Sequence, residues 1–223
     1  MSKIIKPEEG ESFDIELEED LLKANAKIAE DNKALLKKNK IEAIDIMGSI
    51  GSGKTSLVEQ LVKTLKNKYK IAVINGDLTT TIDADRVRKH GANVIQINTG
   101  KECHLDANLV KKALKELDLK NLNLLLIENV GNLICPAEFP LGSNKRMVVI
   151  SVTEGPYMVL KHPFIFMDAS VVVINKIDLA KAMDVSMENL EKDVAAINPK
   201  ARVVRTNCKT GEGVSQVVKA LNL

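Results

Sequence analysis

Ile41-Glu42-Ala43-Ile44-Asp45-Ile46-Met47-Gly48-Ser49-Ile50-Gly51-Ser52-Gly53-Lys54-Thr55 is the stretch that decides the fold. Its first seven residues are a short aliphatic run, which predicts a buried strand. The next eight, Gly48 to Thr55, fit the pattern G-x-x-x-x-G-K-(S/T) in full. Beyond them Leu57, Leu61 and Leu65 recur every four residues, which predicts a helix over about 54–67. A glycine-rich turn between a strand and a helix can wrap its backbone N–H groups around an anion. The first amides of the helix favour the same charge. In that arrangement Lys54 reaches the β- and γ-phosphates of a nucleotide and the Thr55 hydroxyl holds Mg²⁺. Gly48, Ser49, Gly51, Ser52, Gly53, Lys54, Thr55 and Ser56 are therefore candidate phosphate-side residues.

Outward from this loop, short aliphatic runs alternate with helical or loop stretches. The runs are Ile71–Ile74, Val94–Ile97, Leu124–Ile127, Val148–Val152, Val171–Ile174 and Arg202–Val204. Most are continuous rather than alternating, as strands covered on both faces require. Helices are expected over about 105–116, 184–196 and 213–222. The alternation predicts an α/β fold with a mostly parallel sheet, of the P-loop NTPase type. Upstream, residues 8–20 hold Glu8, Glu9, Glu11, Asp14, Glu16, Glu18, Glu19 and Asp20, and 33–40 holds Lys33, Lys37, Lys38 and Lys40. Leu17, Leu21, Ala24, Ile28 and Leu35 lie between them at helical steps, so an amphipathic helix is expected over about 17–38. Acids near its start and lysines near its end suit the helix dipole. It either docks on the domain or offers a face to a partner.

Composition narrows the function classes. A chain of 223 residues makes one domain with room for an appendage. Lys and Arg number 32 against 30 Asp and Glu, a formal charge of +2, which argues against a nucleic-acid binder working by charge. Aromatics are only 3% and Trp is absent, so no base-stacking platform is expected. No apolar run reaches the ~18 residues of a membrane span, and the start MSKIIKPEEG has no secretory h-region. Three cysteines in such a chain predict free thiols and a cytoplasmic protein.

Two later motifs address the base. Asn175-Lys176-Ile177-Asp178 follows the strand Val171–Ile174, at the carboxyl end where open α/β sheets bind ligands. N-K-x-D is the guanine-reading motif of the GTPases that this chain resembles. The Asp178 carboxylate can accept from guanine N1–H and the 2-amino group, while adenine offers neither donor and leaves the acid unpaired. Asn207-Cys208-Lys209 follows the strand Arg202–Val204, where many such GTPases carry Ser-Ala-Lys, and its backbone N–H is expected near guanine O6. Cys208 then reads as part of a base-side loop in preference to a metal ligand.

Leu124-Leu125-Leu126-Ile127-Glu128-Asn129-Val130-Gly131 is an aliphatic strand ending in an acid. Where Ras-like GTPases have D-x-x-G, this chain has Glu128-Asn129-Val130-Gly131. Glu128 is expected to bind Mg²⁺ through a water or to align the catalytic water, and the Gly131 N–H to meet the γ-phosphate. Asp77 follows the strand Ile71–Ile74 in Gly76-Asp77-Leu78-Thr79-Thr80-Thr81-Ile82-Asp83, and is expected to reach Mg²⁺ or the attacking water. Lys54, Asp77 and Glu128 form the expected catalytic set. Asn132 follows Gly131 in place of the water-orienting Gln of Ras, so slow intrinsic hydrolysis is expected, completed across a dimer.

A second constellation is Cys103-His104, with Cys135-Pro136 some thirty residues on. Thiolates with an imidazole suit Zn²⁺ or Ni²⁺. Adjacent residues on a strand point apart, so a turn or helix start must bring Cys103 and His104 to one metal. A buried Cys beside a surface His is the alternative. Three ligands leave a four-coordinate site open to a second subunit, a water or exchange.

Over roughly 41–223 these motifs together resemble the hydrogenase nickel-incorporation GTPase HypB family. The likeness rests on Gly76-Asp77-x-x-Thr80-x-x-Asp83-Ala84, on Ile97-Asn98-Thr99-Gly100-Lys101-Glu102-Cys103-His104-Leu105-Asp106 and on Ile127 to Ala137. Val149-Ile150-Ser151-Val152-Thr153-Glu154-Gly155 and Asn175-Lys176-Ile177-Asp178 add to it. The resemblance implies a dimerising, SIMIBI-type GTPase (G) domain over 41–223, behind an N-terminal acidic segment and helix over 1–40. It implies GTP/GDP with Mg²⁺, and Cys103, His104 and Cys135 as Zn²⁺ or Ni²⁺ ligands. It further implies a nucleotide- or metal-dependent homodimer acting on a hydrogenase large-subunit precursor with other maturation proteins, a nickel-binding accessory protein among them. Glu102 stands where a small residue is expected, and a Cys-rich or His-rich N-terminal metal site is missing from the sequence. A urease-accessory GTPase would carry Cys-Pro-His where this chain has Cys135-Pro136-Ala137. A metal storage or sensor protein with a GTP switch is the remaining alternative.

Overall fold

The computed structural model describes residues 15–77 and 81–223, with side chains from Glu19 onward. The acids Glu8 to Asp14, the side chain of Leu17 and the segment Leu78–Thr80 therefore lie outside the described residues. In chain order the elements are α1 (Ile15–Lys38), β1 (Glu42–Met47), α2 (Lys54–Leu65), β2 (Ile71–Asp77), α3 (Ile82–Arg88), β3 (Asn93–Asn98), α4 (Ala107–Lys115), β4 (Leu124–Glu128), α5 (Cys135–Glu138), β5 (Lys145–Ser151), α6 (Met158–Lys161), α7 (Phe164–Met167), β6 (Val171–Asn175), α8 (Met187–Ile197), β7 (Arg202–Arg205) and α9 (Val214–Ala220).

The seven strands form one sheet in the order β3-β2-β4-β1-β5-β6-β7, and each neighbouring pair is parallel. The continuous aliphatic runs follow from this layering, because alternate residues face opposite helical layers. Ile44 and Ile46 pack with Leu57, Leu61 and Val217 on one face. Ala43 packs with Leu36, Val110 and Leu114 under α1 and α4 on the other, and Met47 with Phe166 and Leu190 further along it. Each fully buried aliphatic side chain contributes roughly 1.5–3 kcal/mol. From β1 the chain moves towards β2, whereas from β4 it crosses to β5. The crevice beyond the adjacent carboxyl ends of β1 and β4 is thus a topological switch point, the place where such sheets bind ligands.

Two details differ from the sequence expectation. β2 runs on to Asp77 instead of stopping at Ile74, because Asn75, Gly76 and Asp77 continue the ladder against β3. In α1 the buried face is Asn25, Ala29, Asn32 and Leu36, while Leu21 and Leu35 are exposed. The apolar stripe therefore misreads the docked side by about one residue. The reason is hydrogen bonding. Asn25 donates to the Pro140 carbonyl (2.9 Å) and accepts from the Ala107 N–H (2.7 Å), and Asn32 donates to the carbonyls of Ala107 (2.8 Å) and Leu141 (3.1 Å). These groups belong to a helix start and a loop, which lack ladder partners of their own. Among the described residues no helix is long and apolar enough to cross a membrane.

Candidate functional site

At the end of β1 the chain turns through Gly48–Gly53 into α2. Gly53 has φ 103°, and a Cβ there would lie 2.1 Å from Asn175 Nδ2, so both the backbone and the space demand glycine. The Lys54 ammonium is curled over the loop, donating to the carbonyls of Gly48 (3.0 Å) and Ser49 (2.9 Å). Burial holds its pKa down, opposed by the charges of Glu128, Glu154 and Asp83. The Ser52 hydroxyl is buried and has no partner among the described residues, and the Ser49 side chain lies against the Glu154 carboxylate, so both stand in the cradle that acceptor oxygens would enter. Ser56 lines the same cleft of about 320 Å³ together with Gly51, Gly53, Lys54 and Thr55.

Asn175, at the end of β6, ties the phosphate loop to the base-side loops. Its Nδ2 donates to the Ser52 carbonyl (2.9 Å), and its Oδ1 accepts from Thr206 Oγ1 (3.1 Å) and the Cys208 N–H (3.0 Å). Lys176 adopts a left-handed backbone with φ 60° and reaches the cleft. Asp178 is exposed and has no partner among the described residues. Asn207 accepts from the Lys209 N–H (3.1 Å), which closes the loop carrying Cys208. Cys208 itself is buried, and Gln60 of α2 caps its carbonyl at 2.9 Å.

Two acids face the phosphate loop from neighbouring strands. Glu128, at the end of β4, is 3% exposed; it accepts from Thr55 Oγ1 at 2.6 Å and from Asn75 Nδ2 at 3.0 Å. Burial raises its pKa to about 7, against the opposing pull of the Thr55 hydrogen bond and the Lys54 charge. Asp77 ends β2 and lines the cleft, and Gly131 lies against Ile50 of the phosphate loop.

Cys103, His104 and Cys135 come together. One ligand atom from each lies within 4.8 Å of the other two. The thiol sulfurs are 2.9 Å apart, far beyond the ~2.05 Å of a disulfide, and Cys103 Sγ is 3.8 Å from His104 Nδ1. A turn before Asp106, which caps α4 through the Leu109 N–H (2.7 Å), lets the adjacent Cys and His converge. Cys135 opens α5. Phe139 lies against the imidazole with ring centroids 3.9 Å apart. Burial lowers the His104 pKa, which favours the neutral ring that ligates metals, although Glu102, Asp106 and Glu138 oppose it. Burial, then the neighbouring Cys103, raises that of Cys135. Two soft sulfurs and an imidazole, half-buried, fit Zn²⁺ or Ni²⁺. Cys208 is not in this cluster.

The sequence reading passed over several polar residues here. Arg86 of α3 lines the cleft, pinned by Glu59 (2.9 Å), Asp83 (3.0 Å) and Ser56 Oγ (3.2 Å). Asp45 is wholly buried in β1; burial raises its pKa to about 6, with Arg146 and Asn129 opposing. A carboxylate inside an otherwise aliphatic strand was the available signal. Glu154, which caps the turn after β5 by accepting from the Ser151 N–H at 2.8 Å, supplies another acid close to Lys54.

Residues 42–205 match the family described as the CobW/HypB/UreG nucleotide-binding domain. A probable hydrogenase maturation factor HypB from Methanocaldococcus jannaschii is 53% identical over 205 residues, 92% of this chain and 93% of the relative. The crystal structure of hydrogenase maturation factor HypB from Archaeoglobus fulgidus superposes with a TM-score of 0.83 at 44% identity, over 89% of this chain and 97% of the other. HypB from Helicobacter pylori, solved in complex with nickel, superposes with a TM-score of 0.84 at 34% identity, over 89% and 94% of the two chains.

Proposed function

The chain belongs to the HypB hydrogenase maturation family of GTPases, and we propose that it couples GTP hydrolysis to the delivery of nickel into a NiFe-hydrogenase precursor. The observation that carries this reading is the position of the Cys103–His104–Cys135 cluster. It is built on the segments that leave the nucleotide cleft, with Cys135 only four residues beyond Gly131. A relative solved with nickel supports nickel as the cargo.

In this reading the N–H groups of Gly48–Thr55 and the Lys54 ammonium bind the phosphates, with Ser49, Ser52 and Ser56 around them. Lys54 must then exchange its two carbonyl partners for phosphate oxygens. Asp178 accepts from guanine N1–H and its 2-amino group, Asn175 and Lys176 shape the base site, and a backbone N–H of Asn207–Lys209 meets O6. Thr55, Glu128 and Asp77 are hard oxygen donors on one wall of the cleft and fit Mg²⁺. Bound there, that ion would offset phosphate charge. Asp77 is the residue we place nearest the attacking water, with Glu128 holding the Thr55 hydroxyl in place.

The Gly131 N–H meets the γ-phosphate and loses that partner on hydrolysis, so Cys135 feels the nucleotide state through the intervening chain. Three ligands per chain leave room for a ligand from a second subunit, and a nucleotide- or metal-dependent homodimer completes the site. The acceptor and the nickel-binding accessory protein follow from the maturation role, and a cytoplasmic setting from the free thiols.

Titration of Ni²⁺ into the GDP and GTP-analogue forms tests the reading. One form should bind more tightly, by a coupling of about 1–3 kcal/mol. Cys103→Ala and Cys135→Ala should abolish binding, and Cys208→Ala should leave it intact. Equal affinities in the two forms would remove the coupling, and loss of binding in Cys208→Ala would mean the wrong third ligand.

A further inference from the structure

Asn132 sits between the phosphate loop and both metal-ligand segments. Its backbone N–H donates to the Gly48 carbonyl at 3.1 Å, within an isolated antiparallel bridge between the two residues. Its side chain reaches the other way. Nδ2 donates to the Cys103 carbonyl at 3.4 Å, and Oδ1 accepts from the Ile134 N–H at 2.9 Å. Ile134 immediately precedes Cys135 and caps α5. One amide therefore holds the backbone of both segments whose thiols stand 2.9 Å apart. The same residue is fastened to the first glycine of the phosphate loop.

Asn129 repeats the link at greater depth. It is 1% exposed, and its Oδ1 accepts from the Leu105 N–H at 3.0 Å, next to His104. Its Nδ2 donates to the buried Asp45 at 3.3 Å. Asn129 braces this segment against the sheet, whereas Asn132 is attached to the loop that holds phosphate.

We propose that Asn132 is the positioning residue that carries the nucleotide state to the metal cluster; this rests on the coupling proposed above. The covalent path from Gly131 reaches Cys135 alone. Cys103 and His104 lie on another segment; the Asn129–Leu105 bond braces that segment against the sheet, and the Asn132 amide joins it to the residue fastened to Gly48. A shift of Asn132 moves the Cys103 carbonyl and the Ile134 N–H together, so the relation of the two thiols to the imidazole changes as a unit. The role is geometric, since Asn132 is neither a metal ligand nor a phosphate ligand here.

The experiment is Ni²⁺ titration of the GDP and GTP-analogue forms of the full chain, in wild type, Asn132→Ala and Asn132→Asp. The readout is the ratio of the two affinities. A merely structural defect weakens both forms alike and leaves the ratio unchanged. Asn132→Asp keeps the acceptor for Ile134 and removes the donor to Cys103; its carboxylate stands beside the Cys135 thiol and changes the absolute affinities, so only the ratio is read. This variant also serves if the alanine variant does not fold. Wild type should show at least a roughly fivefold ratio, and both variants should fall to within about twofold of unity, with GTP-analogue affinity in the absence of metal preserved. A wild-type ratio retained in either folded variant overturns the role of Asn132 and leaves the coupling standing. Equal affinities already in wild type overturn the coupling, and the role of Asn132 falls with it.

Discussion

Glu128→Gln should make the nucleotide-free, metal-free protein more stable at pH 8 while leaving it nearly unchanged at pH 5. Glu128 is buried, and its pKa rises from 4.5 to about 7. A carboxyl whose pKa is raised by folding binds its proton more tightly folded than unfolded. Its stabilising share is complete below the unfolded value and is lost as pH climbs through the folded one. Moving a carboxyl from 4.5 to about 7 is worth on the order of 3 kcal/mol, most of it lost between pH 5 and 8. Glutamine copies the protonated acid and carries no such dependence. Its amide also finds a partner: Asn75 Nδ2 now donates to Glu128, and turning the Asn75 amide presents Oδ1 as the acceptor for the new N–H, leaving one Asn75 polar atom unpaired as it is now. Asp45, raised to about 6, tilts wild type in the same direction, so the comparison must be between the two proteins and not with a flat line. Urea denaturation from pH 5 to 8 with a chelator present is the assay. The two proteins should agree within about 1 kcal/mol at pH 5, and the variant should lead by roughly 2–3 kcal/mol at pH 8. Parallel stability curves would show that Glu128 is not a buried acid held near neutrality by its surroundings.

Asp178→Asn should weaken GTP binding by roughly 10- to 100-fold, the loss expected for a charge-assisted hydrogen bond, and let xanthosine triphosphate compete; unchanged guanine preference in competition binding would remove Asp178 from the base site. Asn32→Ala should destabilise the fold by about 1–3 kcal/mol, because the carbonyls of Ala107 and Leu141 lose their buried donor. Chemical denaturation at one pH reads this directly, and an unchanged midpoint would show that α1 is held by its apolar contacts alone.

What could be read in advance was what local chemistry dictates. A phosphate loop must sit between a strand and a helix, so Gly48–Thr55 located β1 and α2 together. The central strands were visible because a sheet covered on both faces leaves uninterrupted aliphatic runs, whereas β3 and β7 at the edges showed only shorter ones. Cys103, His104 and Cys135 could be named as candidate ligands, but not how they converge, which depends on a turn and on α5, and four residues, Cys135–Glu138, cannot announce that helix. α3 escaped for a related reason: seven residues with Ala84 and Val87 as the buried positions give too little periodicity. Asp45 and Asn129 form a pair separated by 84 residues, and α1 docks through two asparagines that any hydropathy pattern counts as solvent-facing. Long-range polar contacts have no period, so nothing along the chain marks them. Their partners are fixed by the order of the strands.

The amide of Asn32 donates at once to the start of α4, three residues beyond His104, and to Leu141, six residues beyond Cys135. Gly142 lies directly against the α1 backbone, where a Cβ would come within 2.4 Å of the Ala29 carbonyl. The two segments bearing the sulfur and nitrogen donors are thereby gripped at the rear by a single rod, like the jaws of a caliper. Their separation is gauged by a helix that lies outside the 42–205 segment shared with the wider family. A chain trimmed to that segment keeps each donor and the Asn132 bridge between them, and loses this support at the rear.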